Sequence, residues 1–116
     1  IYSARWTGND KNFDLAMFKV NEEIKKIKIP NYNCHFVCSL SICWPDNFNV
    51  TVSGHVDGKF SWPPKGNNGF GYDPIFKPIG HNVTFGEMLP EFKHSISHRS
   101  IAFNKLINLC FPSLNF

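Results

Sequence analysis

Residues 66–76, GNNGFGYDPIF, combine three glycines with three aromatic side chains and an Asp-Pro step. A phosphate-binding loop would need either a strand-to-helix G-x-G-x-x-G or a final G-K-[ST], and neither context is present. Phe70 and Tyr72 are separated only by Gly71, so a flexible backbone can turn both rings toward a flat ligand. Stacking on a nucleic-acid base is worth about 1–3 kcal/mol. The same rings could instead fill a core beside a tight turn, and this glycine-rich loop by itself leaves both interpretations open.

A second group of candidate residues lies in KHSISHRS, residues 93–100. Lys93, His98 and Arg99 surround the predicted start of a helix, where backbone N–H groups and the helix dipole favour negative ligand atoms. Lysine and arginine donate hydrogen bonds and accept none, so they can bind the O6 of a purine but not its 6-amino group. The cluster therefore favours a ligand with a 6-oxo purine, and with it the ligand interpretation of Phe70 and Tyr72.

The cysteines do not form a zinc-binding pattern. No C-x-x-C pair is present, and the segment CHFVCSLSIC alternates so that Cys34 and Cys38 share one strand face while Cys43 lies on the other. We expect reduced thiols in a core, with a metal site or a disulfide as the remaining alternatives.

Composition narrows the class of protein. A chain of 116 residues with 42% hydrophobic residues can bury the core of one domain, predicted over residues 1–110 with a tail at 111–116. No apolar run approaches the length of a membrane span, and we expect no membrane partner and a cytoplasmic location. A net charge of +3 without basic blocks suits a small anionic ligand. We expect no nucleic-acid partner, because RNP and KH patterns are absent.

Periodicity predicts the elements that position these residues. A helix is expected over about residues 11–28, capped at Asn9-Asp10, ended by Pro30 and carrying a Glu22–Lys26 pair on its polar face. Strands at about 34–43 and 48–53 predict an antiparallel hairpin, followed by an irregular segment from residue 54 to residue 76. Residues 84–92 predict at most short helical turns. Ser97 is expected to cap a last helix over about 98–109, with these residues facing the core: Ile101, Ala102, Phe103, Leu106 and Leu109.

Four blocks, IYSARWTGNDKN, GNNGFGYDPIF, TFGEM and KHSISHRSIAFNKL, occur in this order. Together they resemble the inosine/xanthosine triphosphate pyrophosphatase family (RdgB-like, non-canonical purine NTP pyrophosphatases). The resemblance implies an α/β fold with a mixed, twisted β-sheet and flanking helices in a two-lobed, N-terminally truncated arrangement. It also implies Mg²⁺-dependent hydrolysis of ITP, dITP and XTP to the monophosphate and pyrophosphate by a cytoplasmic homodimer.

The resemblance also implies roles for individual residues. Phe70 would stack on the purine, Tyr72 would border the pocket beside Gly71, and Asp73 would contact the base or fix the loop. Lys93, His98 and Arg99 would surround the oxo edge of the purine. Ser3 and Arg5 would support the site from beside the catalytic strand.

One part of the family pattern has no counterpart in these residues, namely the phosphate-binding S-x-N-x-x-K-x-x-E segment. The resemblance places the catalytic aspartate and the Mg²⁺ ligands before Ile1, so we expect no catalytic residue and no metal ligand in this chain and an activity impaired by truncation. The alternative is a non-catalytic purine-nucleotide-binding remnant, or a subunit that complements a separately encoded N-terminal half.

Overall fold

The computed structural model describes residues 4–28 and 31–112. Ser3, Pro30 and the end of the tail lie outside the described residues, together with the expectations attached to them. The chain divides into two compact units. The first joins the residues up to Cys34 with Gly58–Met88, and the second joins His35–Asp57 with the residues from Leu89 onward. The predicted single domain with a tail stays a prediction.

The first long helix, α1, spans Phe13–Lys25 and is shorter than the sequence pattern predicts. Its cap is Asn12, whose side-chain oxygen accepts a hydrogen bond from Leu15 N at 3.2 Å, and not Asn9-Asp10. The helix ends early because Lys26 N and Ile27 N bond to carbonyls three residues back, at Glu23 and Ile24, which tightens the last turn.

The polar face of α1 forms ion pairs in a different register from the predicted one. Lys25 pairs with Glu22 at 3.3 Å and Lys26 pairs with Glu23 at 3.0 Å, so the predicted Glu22–Lys26 pair is wrong. Because all four side chains are well exposed to water, each pair contributes at most about 1 kcal/mol.

The predicted hairpin is confirmed by strands β1, Asn33–Cys43, and β2, Asn49–Phe60. Facing hydroxyl pairs fix its antiparallel register: Ser39 with Ser53 at 2.7 Å and Ser41 with Thr51 at 2.6 Å. The side chains of β1 alternate between exposed and half-buried as the sequence predicts, and Cys43 lies on the exposed face.

Strand β2 runs six residues past Gly54, to Phe60, so the prediction of an irregular segment from residue 54 is wrong for this stretch. Gly54 and Gly58 are both buried, and a Cβ on either would clash with a neighbour: 2.5 Å from Ala102 N for Gly54 and 2.6 Å from Lys77 O for Gly58. These glycines mark close packing inside a strand and not a loop.

The third strand, β3, spans Phe76–Pro78 and pairs antiparallel with the end of β2, with Gly58 opposite Pro78 and Phe60 opposite Phe76. The strand order is β1-β2-β3, and in the described part of the chain every strand pair is antiparallel, whereas the resemblance implies a mixed sheet. The side chains of Phe76 and Phe85 are buried with their ring centroids 5.1 Å apart and form the centre of the first unit's core.

Two helices complete the second unit: α2, Pro90–Ile96, and α3, His98–Cys110. The cap predicted at Ser97 is confirmed, because its hydroxyl accepts a hydrogen bond from Ser100 N at 3.3 Å. Ala102 and Leu106 are buried as predicted, whereas Phe103 and Leu109 are exposed, so α3 buries a narrower stripe than the sequence predicts.

The four cysteines are free thiols. Cys34, Cys38 and Cys110 are half-buried, and Cys43 is exposed, so a core position is wrong for Cys43. Desolvation by burial raises the pKa of the Cys34 thiol, which disfavours its reactive thiolate form. No helix in residues 4–28 or 31–112 combines the length and the apolar content needed to cross a bilayer.

Candidate functional site

The glycine-rich loop, residues 66–76, exposes one aromatic ring to solvent, and hydrogen bonds within the loop hold the backbone of that residue. Phe70 is 58% exposed, while Asp73, three residues later, is only 4% exposed. One carboxylate oxygen of Asp73 accepts a hydrogen bond from Phe70 N at 2.9 Å, and Asp73 N bonds back to Phe70 O at 3.3 Å. The two residues therefore close a turn that fixes the backbone of Phe70 while its ring stays accessible.

Gly69 and Gly71 allow this turn to form. Both have positive φ angles, 74° and 64°, which side chains of L-residues rarely adopt. A Cβ on Gly69 would also overlap the Asp73 carboxylate. The glycines next to Phe70 thus serve the local backbone shape and the approach of Asp73.

Tyr72 is less exposed than Phe70. Its ring packs edge-on against Phe13 of α1, with centroids 5.4 Å apart and an interplanar angle of 89°. Partial burial raises the pKa of the Tyr72 phenol, so near pH 7 its hydroxyl keeps its proton and can donate a hydrogen bond. The core-filling interpretation thus applies in part to Tyr72 and fails for Phe70.

The predicted cationic cluster lies in the second unit. Lys93 is half-buried on α2, whereas His98 and Arg99 occupy the first turn of α3, with His98 half-buried and Arg99 exposed. The His98 ring packs edge-on against Phe36 of β1, at a centroid distance of 5.2 Å. The cap at Ser97 and the Phe36 contact together fix the start of α3.

Sequence reasoning missed the residues that support this cluster. Gly54 allows the first turn of α3 to approach β2, because a Cβ there would lie 2.6 Å from the His98 carbonyl oxygen. Further along the helix, Lys105 Nζ donates to the Ser53 carbonyl at 2.8 Å. The inward face of the predicted strand was a signal for Phe36, but nothing local in the sequence distinguishes Gly54 from a loop glycine.

Replacing Asp73 with asparagine is expected to lower the free energy of unfolding by about 1 kcal/mol, because a charge-assisted hydrogen bond to Phe70 N becomes a neutral one. Thermal or urea unfolding measures the change. Asp57→Asn is the matched control, because the Asp57 side chain is 64% exposed on β2. An equal loss of stability in both variants would contradict a special role for the Asp73 carboxylate.

Comparison with known families shows to which family the chain belongs. The family model described as "Ham1 family" matches residues 1–109. The chain belongs to the Ham1 family. This confirms the resemblance found in the four sequence blocks.

Curated relatives of this chain include the dITP/XTP pyrophosphatases of Zymomonas mobilis and Rhodospirillum centenum. The first is 50% identical over 95% of this chain and 53% of its own length. The second is 45% identical over 96% of this chain and 55% of its own length. The chain thus spans about half the length of the curated relatives it matches.

Solved Ham1 structures share the fold. The Staphylococcus aureus Ham1 protein superimposes with a TM-score of 0.87 at 32% identity, covering 97% of this chain and 58% of that one. A HAM1 protein from Coxiella burnetii gives a TM-score of 0.85 at 29% identity, covering 93% and 56%. The predicted α/β class with flanking helices is confirmed.

The structure sorts the candidate residues of the Ham1 resemblance by unit. The first unit holds the glycine-rich loop, in which Phe70 and Asp73 are in direct contact; the second holds the cationic cluster, in which His98 and Arg99 are adjacent. Arg5 is exposed in the short 3-10 helix Arg5–Thr7, and Ser3 lies outside the described residues. The ligand roles of all these residues stay predictions.

Proposed function

We propose that the protein hydrolyses non-canonical purine nucleoside triphosphates, namely ITP, dITP and XTP, to the monophosphate and pyrophosphate, and that this chain recognises the base. The observation that carries the proposal is the exposed ring of Phe70 on a backbone fixed by the buried Asp73. The names of the curated Ham1 relatives, dITP/XTP pyrophosphatases, support the substrate class.

In this proposal the aromatic residues bind the faces and border of the purine. Phe70 stacks on the ring system, which its exposure permits, and the neutral Tyr72 phenol lies beside Gly71 at the border of the pocket. Asp73 fixes the loop and does not contact the base, because it is buried and one of its oxygens already accepts from Phe70 N. A ring held in advance loses little entropy on binding, which favours affinity.

Selectivity comes from the cationic cluster in this proposal. Lys93 and Arg99 donate to O6 of the purine, and His98 donates through a ring nitrogen that carries a proton. A 6-amino group offers these donors no acceptor, so adenine nucleotides are rejected. Arg5 and Ser3 are proposed to support the site without touching the base.

Mg²⁺ is the cofactor we propose for the phosphoryl chemistry, where it would neutralise the developing charge. The described residues do not fit such a site, because none of them form a group of three or more His, Cys, Asp or Glu side chains able to hold a metal ion. No ligand for Mg²⁺ and no catalytic step is therefore assigned to them. A homodimer, or association with a separately encoded N-terminal half, and a cytoplasmic location are further proposals based on the family resemblance.

Calorimetric titration of the 116-residue chain tests base selection. We expect IMP to bind about 10-fold or more tightly than AMP, because a donor that matches O6 is worth about 1–3 kcal/mol. Lys93→Met keeps the length of the side chain, removes its charge and should abolish most of the preference. Lys59→Met is the control, because Lys59 is exposed on β2. Equal affinities for IMP and AMP would remove the proposed role of the cationic cluster.

Release of pyrophosphate from ITP in the presence of Mg²⁺ tests the activity itself. Turnover of ITP and XTP in preference to ATP is the result expected of the proposed function. Selective binding of IMP by a protein that releases no pyrophosphate would favour the alternative of a non-catalytic purine-nucleotide binder.

A further inference from the structure

The TFGEM block has no role in the proposal so far, yet it lies against the glycine-rich loop. Residues 84–87, here named the Thr84–Glu87 turn, bond to the loop near both of its ends. Asn68 N donates to Gly86 O at 2.9 Å, and Gly86 N donates to Asp73 O at 3.1 Å. The turn therefore bridges the two sides of Phe70 along the backbone.

Thr84 joins the turn to the segment that enters the loop. Its side chain is fully buried, and its hydroxyl donates to the Lys65 carbonyl at 2.7 Å while accepting from Glu87 N at 3.2 Å. One hydroxyl thus connects residues 19 positions apart in the chain. Buried hydroxyls are costly unless they are bonded, so this arrangement is strongly specified.

Glu87 completes the turn from the solvent side. One carboxylate oxygen accepts a hydrogen bond from Thr84 N at 3.0 Å, and Glu87 N also bonds to Thr84 O at 3.0 Å. The pattern is that of a helix capping box, T-x-x-E, but residues 85–87 form a turn and the next helix begins only at Pro90. Because no helix follows this motif directly, its hydrogen bonds stabilise the turn and the glycine-rich loop beside it.

The backbones of the loop and the turn are also in direct contact. A Cβ on Gly66 would overlap the carbonyl of Gly86, and a Cβ on Gly86 would lie 2.6 Å from Lys65 O and 2.9 Å from Pro74 Cα. Neither position has room for a side chain. Gly66 and Gly86 therefore let the two backbones pack in direct contact, which limits the movement of the loop.

We propose that Thr84 and Glu87 are positioning residues for base recognition, because their hydrogen bonds hold the Thr84–Glu87 turn against the loop that carries Phe70. This inference rests on the proposed function of the glycine-rich loop. Neither residue touches the nucleotide; each acts by limiting the conformations available to Phe70 and Tyr72. Without these hydrogen bonds the loop becomes ordered only when the nucleotide binds, and the conformational entropy lost at that step lowers affinity.

Thr84→Val keeps the shape of the side chain and removes both hydrogen bonds of the hydroxyl. We expect the affinity of the 116-residue chain for IMP to fall about 10-fold, because two hydrogen bonds are lost and the Lys65 carbonyl loses a partner. Thr84→Ser keeps the hydroxyl and should retain affinity within about 3-fold.

Hydrogen exchange without nucleotide distinguishes positioning from a general loss of stability. In Thr84→Val the amides of Asn68 and Phe70 should exchange faster, while amides in the middle of α3 keep their protection. Uniformly faster exchange in both regions would indicate loss of global stability and would overturn the positioning role.

Glu87→Ala provides a second variant, since Glu87 is exposed and its loss leaves the buried core intact. We expect IMP affinity to fall about 3-fold and Glu87→Gln to restore it, because the amide oxygen can still accept from Thr84 N. Glu91→Ala, at another exposed glutamate, should bind IMP like the wild type.

The two proposals fail in different ways. If the wild-type chain binds IMP and AMP equally, the proposed function is contradicted, whatever the exchange data show. If the wild type prefers IMP but Thr84→Val and Glu87→Ala change neither its affinity nor the exchange of the Asn68 and Phe70 amides, the positioning role is wrong and the proposed function stands.

Discussion

Gly66→Ala is expected to lower the free energy of unfolding by about 3–5 kcal/mol, among the largest effects of any single substitution in this chain. Gly66 has a φ of 95°, and a Cβ there would overlap backbone atoms of Gly86 and Glu87. Backbone atoms cannot rotate away as the end of a flexible side chain can, so the loop and the Thr84–Glu87 turn must separate. Urea unfolding monitored by tryptophan fluorescence measures the loss.

Gly80→Ala is the matched control for Gly66→Ala. Gly80 has a similar φ, 85°, but a Cβ added there meets no atom within 4 Å. Its cost should be the backbone strain alone, about 1–2 kcal/mol. The difference between the two variants therefore isolates the clash, and equal losses would show that the loop and the turn separate without cost.

Close contacts at other glycines explain why the fold was only partly predictable from sequence. The β1-β2 hairpin and the Ser97 cap follow from local rules, an alternating pattern and a hydroxyl placed before a helix, and both are confirmed. Gly54 and Gly58 belong to a strand because distant residues pack against them, and no local pattern carries that information. Glycine therefore indicated a loop where the structure has a strand that buries these two glycines.

The candidate site was also predictable only in part. Residues whose chemistry is distinctive, Phe70 and the cationic cluster, could be selected from their types and spacing. The bonds that hold them could not, because Thr84 reaches Lys65 across 19 residues and Phe36 reaches His98 across the second unit. The burial of Asp73 beneath an exposed Phe70 also required the structure, since the sequence left its role open between the base and the loop.

Phe70→Ala is expected to weaken IMP binding by about 1–3 kcal/mol, which is roughly 5- to 150-fold, with little change in stability. The ring is 58% exposed, so its removal leaves no large cavity, and the backbone bonds between residues 70 and 73 do not depend on it. Large loss of affinity with a nearly unchanged melting temperature is the signature of a ring kept for a ligand. Calorimetric titration and thermal unfolding on the same sample measure both quantities.

Phe18→Ala supplies the control for Phe70→Ala, because Phe18 is 51% exposed on α1, outside the glycine-rich loop and the cationic cluster. Both substitutions remove the same atoms from a similarly exposed position, so the difference in IMP affinity reports stacking alone. If Phe70→Ala binds IMP as tightly as Phe18→Ala does, the exposed ring is not the base platform. Loss of AMP and IMP binding in equal proportion is expected, because stacking acts on any purine face and leaves selection to Lys93 and Arg99.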